Sequence, residues 1–302
     1  MAEPMTIMVT LVRPAYGLHA YATVTCRGLG SATRLWPDVI GPAQTVQCGG
    51  AESVSPGAII VWELLGTAVL LLLGNGVVAN VVLRKNNGFQ AGTLFITFGW
   101  AFGVFAGASL AAPTGAHLNP AVTLGLAISG KVSWADVPFY LIGEMLGAIL
   151  GAVLCWLTYK LQFDDHPNPE ETLGIFSTAP QIRNKAWNLV TEVIGTFVLV
   201  GWILLTPAFK TASDGTPTFG NTALGYAGVS FVVLVIGISL GGPTGYAINP
   251  ARDLGPRIAY AFLLPIKGKR DPDWNYSWVP VLGPLLGGAL AALVYLAVHN
   301  LT

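Results

Sequence analysis

The feature that leaves this chain the least freedom is a nine-residue frame that occurs twice. Pro113-Thr114-Gly115-Ala116-His117-Leu118-Asn119-Pro120-Ala121 returns as Pro243-Thr244-Gly245-Tyr246-Ala247-Ile248-Asn249-Pro250-Ala251, 130 positions later. Two other landmarks recur in the same order, one 129 and the other 140 positions on. Glu63-Leu64-Leu65-Gly66-Thr67 is matched by Glu192-Val193-Ile194-Gly195-Thr196, and the small-residue ladder Gly143/Gly147/Gly151 by Gly283/Gly287/Ala291. Three landmarks in one order at similar spacing mark an internal duplication.

What the duplicated units fold into follows from composition. Of the 302 residues 53% are hydrophobic and only 10% charged, against about 25% charged in soluble domains. Most of the surface therefore does not face water. Fifteen basic residues balance fifteen acidic ones, which gives no sign of a nucleic-acid partner. Cys26, Cys48 and Cys155 fit neither a disulfide framework nor a metal site, so no metal or cofactor is expected. Six apolar stretches, near 58–83, 91–110, 135–159, 187–208, 222–241 and 278–298, are long enough to cross a bilayer core of roughly 30 Å. Each half holds three of them. An odd number sends the second half in from the opposite face, giving an inverted repeat with its site at the repeat interface. The hydrophilic 160–186 segment links repeat one, 57–159, to repeat two, 187–298. The expected fold is thus all-α and membrane-integral, with six spanning helices and two shorter pieces near 111–129 and 242–265.

Those shorter pieces carry the chemistry. Asparagine is a strong N-cap because its side-chain oxygen accepts an orphan N–H of the first turn. Proline at the next position has φ already set for a helix. Asn119 and Asn249 should each start a helix, over about 120–129 and 250–262. Ten residues rise about 15 Å, half the hydrocarbon thickness, so these are half-helices fed by re-entrant loops. Non-helical backbone at membrane depth is tolerated only inside protein or along a watery cavity. The carbonyls of Gly115, Ala116, His117, Tyr246 and Ala247 can form a ladder of acceptors there. The capping asparagines keep amide N–H groups to donate to a passing solute. The two positive helix ends, about +0.5 charge each, repel cations where they meet.

With both Asn-Pro-Ala frames placed in an inverted repeat, the chain resembles the major intrinsic protein family over about residues 57–298, in its aquaglyceroporin branch. The resemblance implies a passive channel in the cell membrane, a pore in every subunit, a homotetramer and no enzymatic activity. It also implies that Glu63 and Glu192 hydrogen-bond the re-entrant backbone and hold it open. His117 contributes a backbone carbonyl and is otherwise a packing residue. Arg252 lies one turn into the second half-helix, where a guanidinium offers fixed donors and repels cations; it is also expected to pair with loop carbonyls. Glu144 stands where the family more often has glutamine.

The resemblance further separates water pores from glycerol pores. Asp253, Arg257, Pro280, Val281 and Tyr159 match the glycerol pattern, and Asp253 and Arg257 can pair at i, i+4. Gly237 occupies the position at which water-selective members place a histidine. Tyr246 and Trp100 supply two aromatic walls opposite Arg252, with Trp100 reached by a one-residue gap. Such a ring is apolar on one side and hydrogen-bonding on the other, as a polyol is. Glycerol with water is the expected cargo. The alternatives are another small neutral solute (lactic acid, dihydroxyacetone, urea, hydrogen peroxide) or a proton-coupled secondary transporter. The partners expected are small neutral solutes and the lipid bilayer. Charge bias in the connections would place the termini outside, whereas the family places them inside, and the family orientation is adopted here. Residues 1–53 have no repeat partner and no span. They are expected to be a disordered extension or a mis-assigned start, with 54–302 forming the channel domain.

Overall fold

The structure, a computed structural model, describes residues 7–12, 21–26, 32–35, 54–206 and 223–301. It divides into two compact units, Met1–Ser53 and Val54–Thr302, each treated by itself.

The first unit holds three antiparallel strands in the order β1 (Ile7–Val12), β2 (Tyr21–Cys26) and β3 (Ala32–Leu35), with Ile7 opposite Cys26 and Ala22 opposite Leu35. Residues 1–53 were expected to be a disordered extension or a mis-assigned start; among them, 7–12, 21–26 and 32–35 are strands. Ile, Val, Thr and Tyr dominate the three segments, and such residues suit a pleated surface. A search for helical period passes over them.

The second unit is all-helical. Its elements are α1 (Pro56–Val82), α2 (Gly92–Leu110), a 3-10 turn (Ala112–Thr114), α3 (Pro120–Ile128), α4 (Val137–Thr158) and α5 (Lys160–Asp165). A second 3-10 turn (Pro169–Thr172), α6 (Leu173–Phe176), α7 (Lys185–Leu205), α8 (Ala223–Leu240), α9 (Pro250–Phe262), α10 (Trp274–Ser277) and α11 (Val279–His299) follow. Caps set the long helices. Ser55 accepts from the Ala58 amide at 3.3 Å with Pro56 behind it, and Asn184 accepts from the Trp187 amide at 3.2 Å. Among the described residues five helices are long and apolar enough to cross a membrane, and residues 225–240 of α8 form a further apolar helix.

Packing repeats with the sequence. Helix α1 lies against α4 and α2, as α7 lies against α11 and α8. The half-helices cross over: α3 packs on α11, and α9 on α4. Close approach explains the small residues. A Cβ on Gly143 would sit 2.7 Å from the Ile60 carbonyl oxygen, one on Gly151 2.6 Å from that of Ala68, and one on Gly288 2.5 Å from that of Ala121. Helices meet this tightly in lipid through dispersion contacts that a methyl group would block. The 160–186 linker is less hydrophilic in space than in sequence. Phe163, Leu173, Ile175 and Phe176 are buried, and Phe176 packs its ring 5.8 Å from that of Tyr260 on α9.

Candidate functional site

Both re-entrant loops are built the same way. Gly115 (φ 86°) and Gly245 (φ 81°) turn the chain in the left-handed region, which glycine adopts without strain. Ala116, Leu118, Tyr246 and Ile248 follow at φ 55°, 53°, 39° and 44°. Residues with side chains cost about 1–3 kcal/mol each in such sparsely populated backbone, so something must hold them. In the first loop Glu63 does so. Its Oε1 accepts from the Thr114 hydroxyl (2.6 Å) and the His117 amide (3.2 Å), and its Oε2 from the Leu118 amide (2.8 Å). In the second, Glu192 accepts from the Ala247 amide (3.1 Å) and the Ile248 amide (2.9 Å). Both glutamates are buried.

The loops end on their caps. Asn119 Oδ1 accepts from the Ala121 amide (2.9 Å), and Asn249 Oδ1 from the Arg252 amide (3.1 Å). The amide nitrogens do something that the sequence did not reveal. Asn119 Nδ2 donates to the Ile248 carbonyl, and Asn249 Nδ2 to the Leu118 carbonyl, each at 2.8 Å. The half-helices are thereby stitched tip to tip. One N–H of each amide is used in the stitch, and one remains for a solute.

These tips border a cavity of about 290 Å³. The loops contribute Gly115, Ala116, His117, Leu118, Tyr246, Ala247 and Ile248, together with Asn119, Asn249 and Arg252. The spans contribute apolar residues, among them Leu70, Val104, Leu199, Val229 and Val233. The loop backbone makes no helical bonds, and of its carbonyls those of Leu118 and Ile248 are taken by the asparagine amides.

Arg252, Trp100 and Tyr246 gather at one end. The Arg252 guanidinium carbon lies 3.8 Å from the centre of the Trp100 ring, a cation–π contact. Among the described residues Arg252 Nη1 has no hydrogen-bond partner. Stacking on the indole holds the group and leaves that donor free. Gly237 does not itself line the cavity. A Cβ there would stand 3.0 Å from Tyr246 Cζ and would collide with Thr97 Cγ2. Its lack of a side chain thus seats the Tyr246 ring, and Gly241 does the same from one turn on. Trp100 has its own seat, which the sequence reading missed: a Cβ on Gly74 would overlap the indole. An interior glycine on α1 with no repeat counterpart was the only available signal.

The remaining predicted residues serve as framework. His117 stacks on Tyr140 with ring centres 3.9 Å apart, and its Nδ1 lies 2.9 Å from the Thr123 hydroxyl. That hydroxyl donates to Glu144 Oε1 at 2.7 Å. A hydroxyl has one proton, so it must accept from His117, whose proton then sits on Nδ1. Glu144 thus has a definite partner. Asp253 and Arg257 pair at 2.7 Å, both fully buried. Asp253 also accepts from the Thr178 amide and hydroxyl, each at 2.7 Å, while Arg257 donates to the Thr178 carbonyl (3.0 Å) and the Pro272 carbonyl (2.5 Å). The pair staples two connecting segments onto α9. Pro280 and Val281 open α11, and Tyr159 ends α4. None of these five residues lines the cavity. Among the described residues no group of three His, Cys, Asp or Glu side chains could hold a metal ion.

Comparisons with known proteins agree in kind. The family model "Major intrinsic protein" matches residues 51–295. Glycerol uptake facilitator protein 3 of Lactiplantibacillus plantarum is 49% identical over 239 residues, covering 78% of this chain and 95% of that protein. The glycerol uptake facilitator protein of Bacillus subtilis is 47% identical over 234 residues, covering 77% and 82%. Among solved structures, the X-ray structure of the aquaglyceroporin from Plasmodium falciparum is similar with a TM-score of 0.65 at 28% identity, covering 80% of this chain and 96% of that one.

Proposed function

The chain belongs to the major intrinsic protein family, and from that premise we infer a multi-pass channel of the cell membrane that conducts glycerol and other small neutral solutes, with water. The observation that carries the reading is the two-sided cavity. Arg252, whose Nη1 has no partner among the described residues, the two asparagines and the loop backbone share the lining with aromatic and aliphatic side chains. A polyol matches such a lining along its length, hydroxyls to the loops and carbons to the wall. Water alone would need only the polar side. Passive flux requires contacts weak enough for exit, and single hydrogen bonds to loop carbonyls meet that requirement. Two helix N-termini meeting at Asn119 and Asn249, with Arg252 beyond them, oppose cations.

The channel reading calls for no chemical step on the solute. Glu63 and Glu192 hold the loops, Asn119 and Asn249 cap and donate, and Arg252, Trp100 and Tyr246 select. Asp253, Arg257, Pro280, Val281 and Tyr159 act on the shape of the site from behind. Large apolar side chains such as Phe102, Phe231 and Leu293 are exposed on the spans; they suit lipid or neighbouring copies, and the assembly proposed is a homotetramer. Stopped-flow light scattering of proteoliposomes tests the function. Glycerol should equilibrate far faster than in empty vesicles and without a proton gradient. Water flux without glycerol flux, or uptake that needs a gradient, overturns the reading, and a panel with urea, lactic acid, dihydroxyacetone and hydrogen peroxide ranks the cargo.

A further inference from the structure

The cavity has a second end. Helix α8 runs from Tyr226 towards Gly237 and the Tyr246 loop, and 11 residues of helix rise about 16 Å. At the Tyr226 end of α8 the lining includes Trp202, Ile203 and Thr206 from α7, with Leu126 from α3. Two of these residues carry unexplained features. Tyr226 shares the cavity-facing stripe of α8 with Val229 and Val233; it is buried, and among the described residues its hydroxyl has no hydrogen-bond partner. A buried hydroxyl without a partner is unfavourable until something pairs with it. Trp202 lies against Gly228, where a Cβ would come within 2.7 Å of Cη2 and 3.2 Å of Cζ2. The glycine is a cradle for the indole, as Gly74 is for Trp100 and Gly237 for Tyr246. The arrangement at the Arg252 end thus recurs at the far end, with a phenol hydroxyl in place of the guanidinium.

We propose that Trp202 and Tyr226 form a second polyol-contact ring, in series with the first, in which the indole walls the carbon chain and the phenol pairs with a solute hydroxyl. This rests on the reading that the chain conducts glycerol. A solute leaving the Arg252 ring crosses the asparagine tips and meets a second mixed surface before exit. Passage then depends on carbon-chain length at two places.

The test uses full-length protein in proteoliposomes, comparing rates for water, glycerol and the four-carbon polyol erythritol. Tyr226→Phe keeps the ring and removes the hydroxyl; the glycerol-to-water ratio should fall severalfold. Trp202→Leu opens the far end, and the erythritol-to-glycerol ratio should rise. Gly228→Val should drive the indole into the cavity and lower glycerol flux more than water flux. Adding Trp202→Leu to Gly228→Val should restore it, because the displaced group is gone. Unchanged ratios in folded Tyr226→Phe and Trp202→Leu overturn the proposal while leaving the glycerol reading intact. A Gly228→Val defect that persists in the double variant overturns the seating argument. Should Gly228→Val not fold, the other two variants still decide. Wild-type vesicles that pass water but no glycerol would sink both the function and this ring.

Discussion

The two re-entrant segments share one scaffold and differ at the side chains that can select a solute. Each has a left-handed glycine, two strained residues, a buried glutamate from the first span of its repeat and an asparagine reaching to the other's carbonyl. Yet the position three after the cap is Val122 in one and Arg252 in the other, and Ala116 corresponds to Tyr246. Behind the first loop sits the hydrogen-bonded chain Glu144–Thr123–His117; behind the second sits the Asp253–Arg257 ion pair. Duplication supplied the shape, and divergence of one copy supplied the selectivity.

The shared scaffold gives the largest expected effect. Glu63→Ala and Glu192→Ala each leave two loop amides without an acceptor, at about 1–3 kcal/mol per buried orphan. Strained backbone that loses its clamp relaxes towards helix or coil. Both variants should lose several kcal/mol and most glycerol flux to a similar extent, because the Thr114 hydroxyl keeps the Ala111 carbonyl as a partner. Thermal melting in detergent, paired with vesicle flux, checks this. A defect confined to one repeat would break the symmetry claimed here.

The stitch between the tips comes next. Asn119→Asp or Asn249→Asp keeps the capping oxygen but sets a carboxylate oxygen against a carbonyl 2.8 Å away. Repulsion should open the tips and invite cations, so glycerol flux falls and cation leak rises, most in the double variant. Background current in planar bilayers with normal glycerol flux would show that the stitch is dispensable.

Much of this was legible in the sequence because its causes are local. Asn-Pro-Ala dictates a cap and a helix start within three residues, so α3 and α9 begin at Pro120 and Pro250 as expected. Repeat arithmetic then placed Glu63 and Glu192. What was not legible depends on atoms meeting across the fold. Each asparagine bonds a carbonyl about 130 positions away, and no local pattern encodes that. Gly74 and Gly237 matter through the rings they seat on a neighbouring element, which only the packing reveals. The spacing of Asp253 and Arg257 announced their pairing, but not that the pair would hold Thr178 of the linker. The strands within residues 7–35 escaped because membrane spans dominated the periodicity.

Converting the asymmetric position to its counterpart sharpens the comparison. Arg252→Val makes the second half-helix read as the first does at Val122. It removes the free Nη1 donor and the charge above Trp100. Folding should survive, since valine is smaller and the scaffold bonds are untouched. Selection among polyols should weaken and cation leak appear, without the collapse expected of the glutamate variants. Unaltered solute ratios would mean that Arg252 is framework.

The smallest effect, and the most specific, concerns the aromatic seats. Gly237→Ala adds one methyl where Thr97 Cγ2 and the Tyr246 ring already touch. Tyr246 cannot retreat along the backbone, because it sits at φ 39° between a left-handed glycine and amides held by Glu192. The ring must then tilt towards Arg252 and narrow the passage. Water passes as a thin hydrogen-bonded column, whereas glycerol needs width and a flat wall, so the glycerol-to-water ratio should fall. Gly237→His, which fills the seat and adds a donor, should lower it much further. Gly74→Ala attacks the same ring from the other side by pressing on Trp100, and should shift the ratio in the same direction. Nothing in the duplicated frame predicts that a glycine on α1 and one on α8 behave alike; only the two seats do. The quantity measured is a ratio of two rates in the same vesicles, so expression and insertion cancel. A fall for Gly237→Ala without one for Gly74→Ala would make Tyr246 the sole gatekeeper and reduce Trp100 to a support for Arg252.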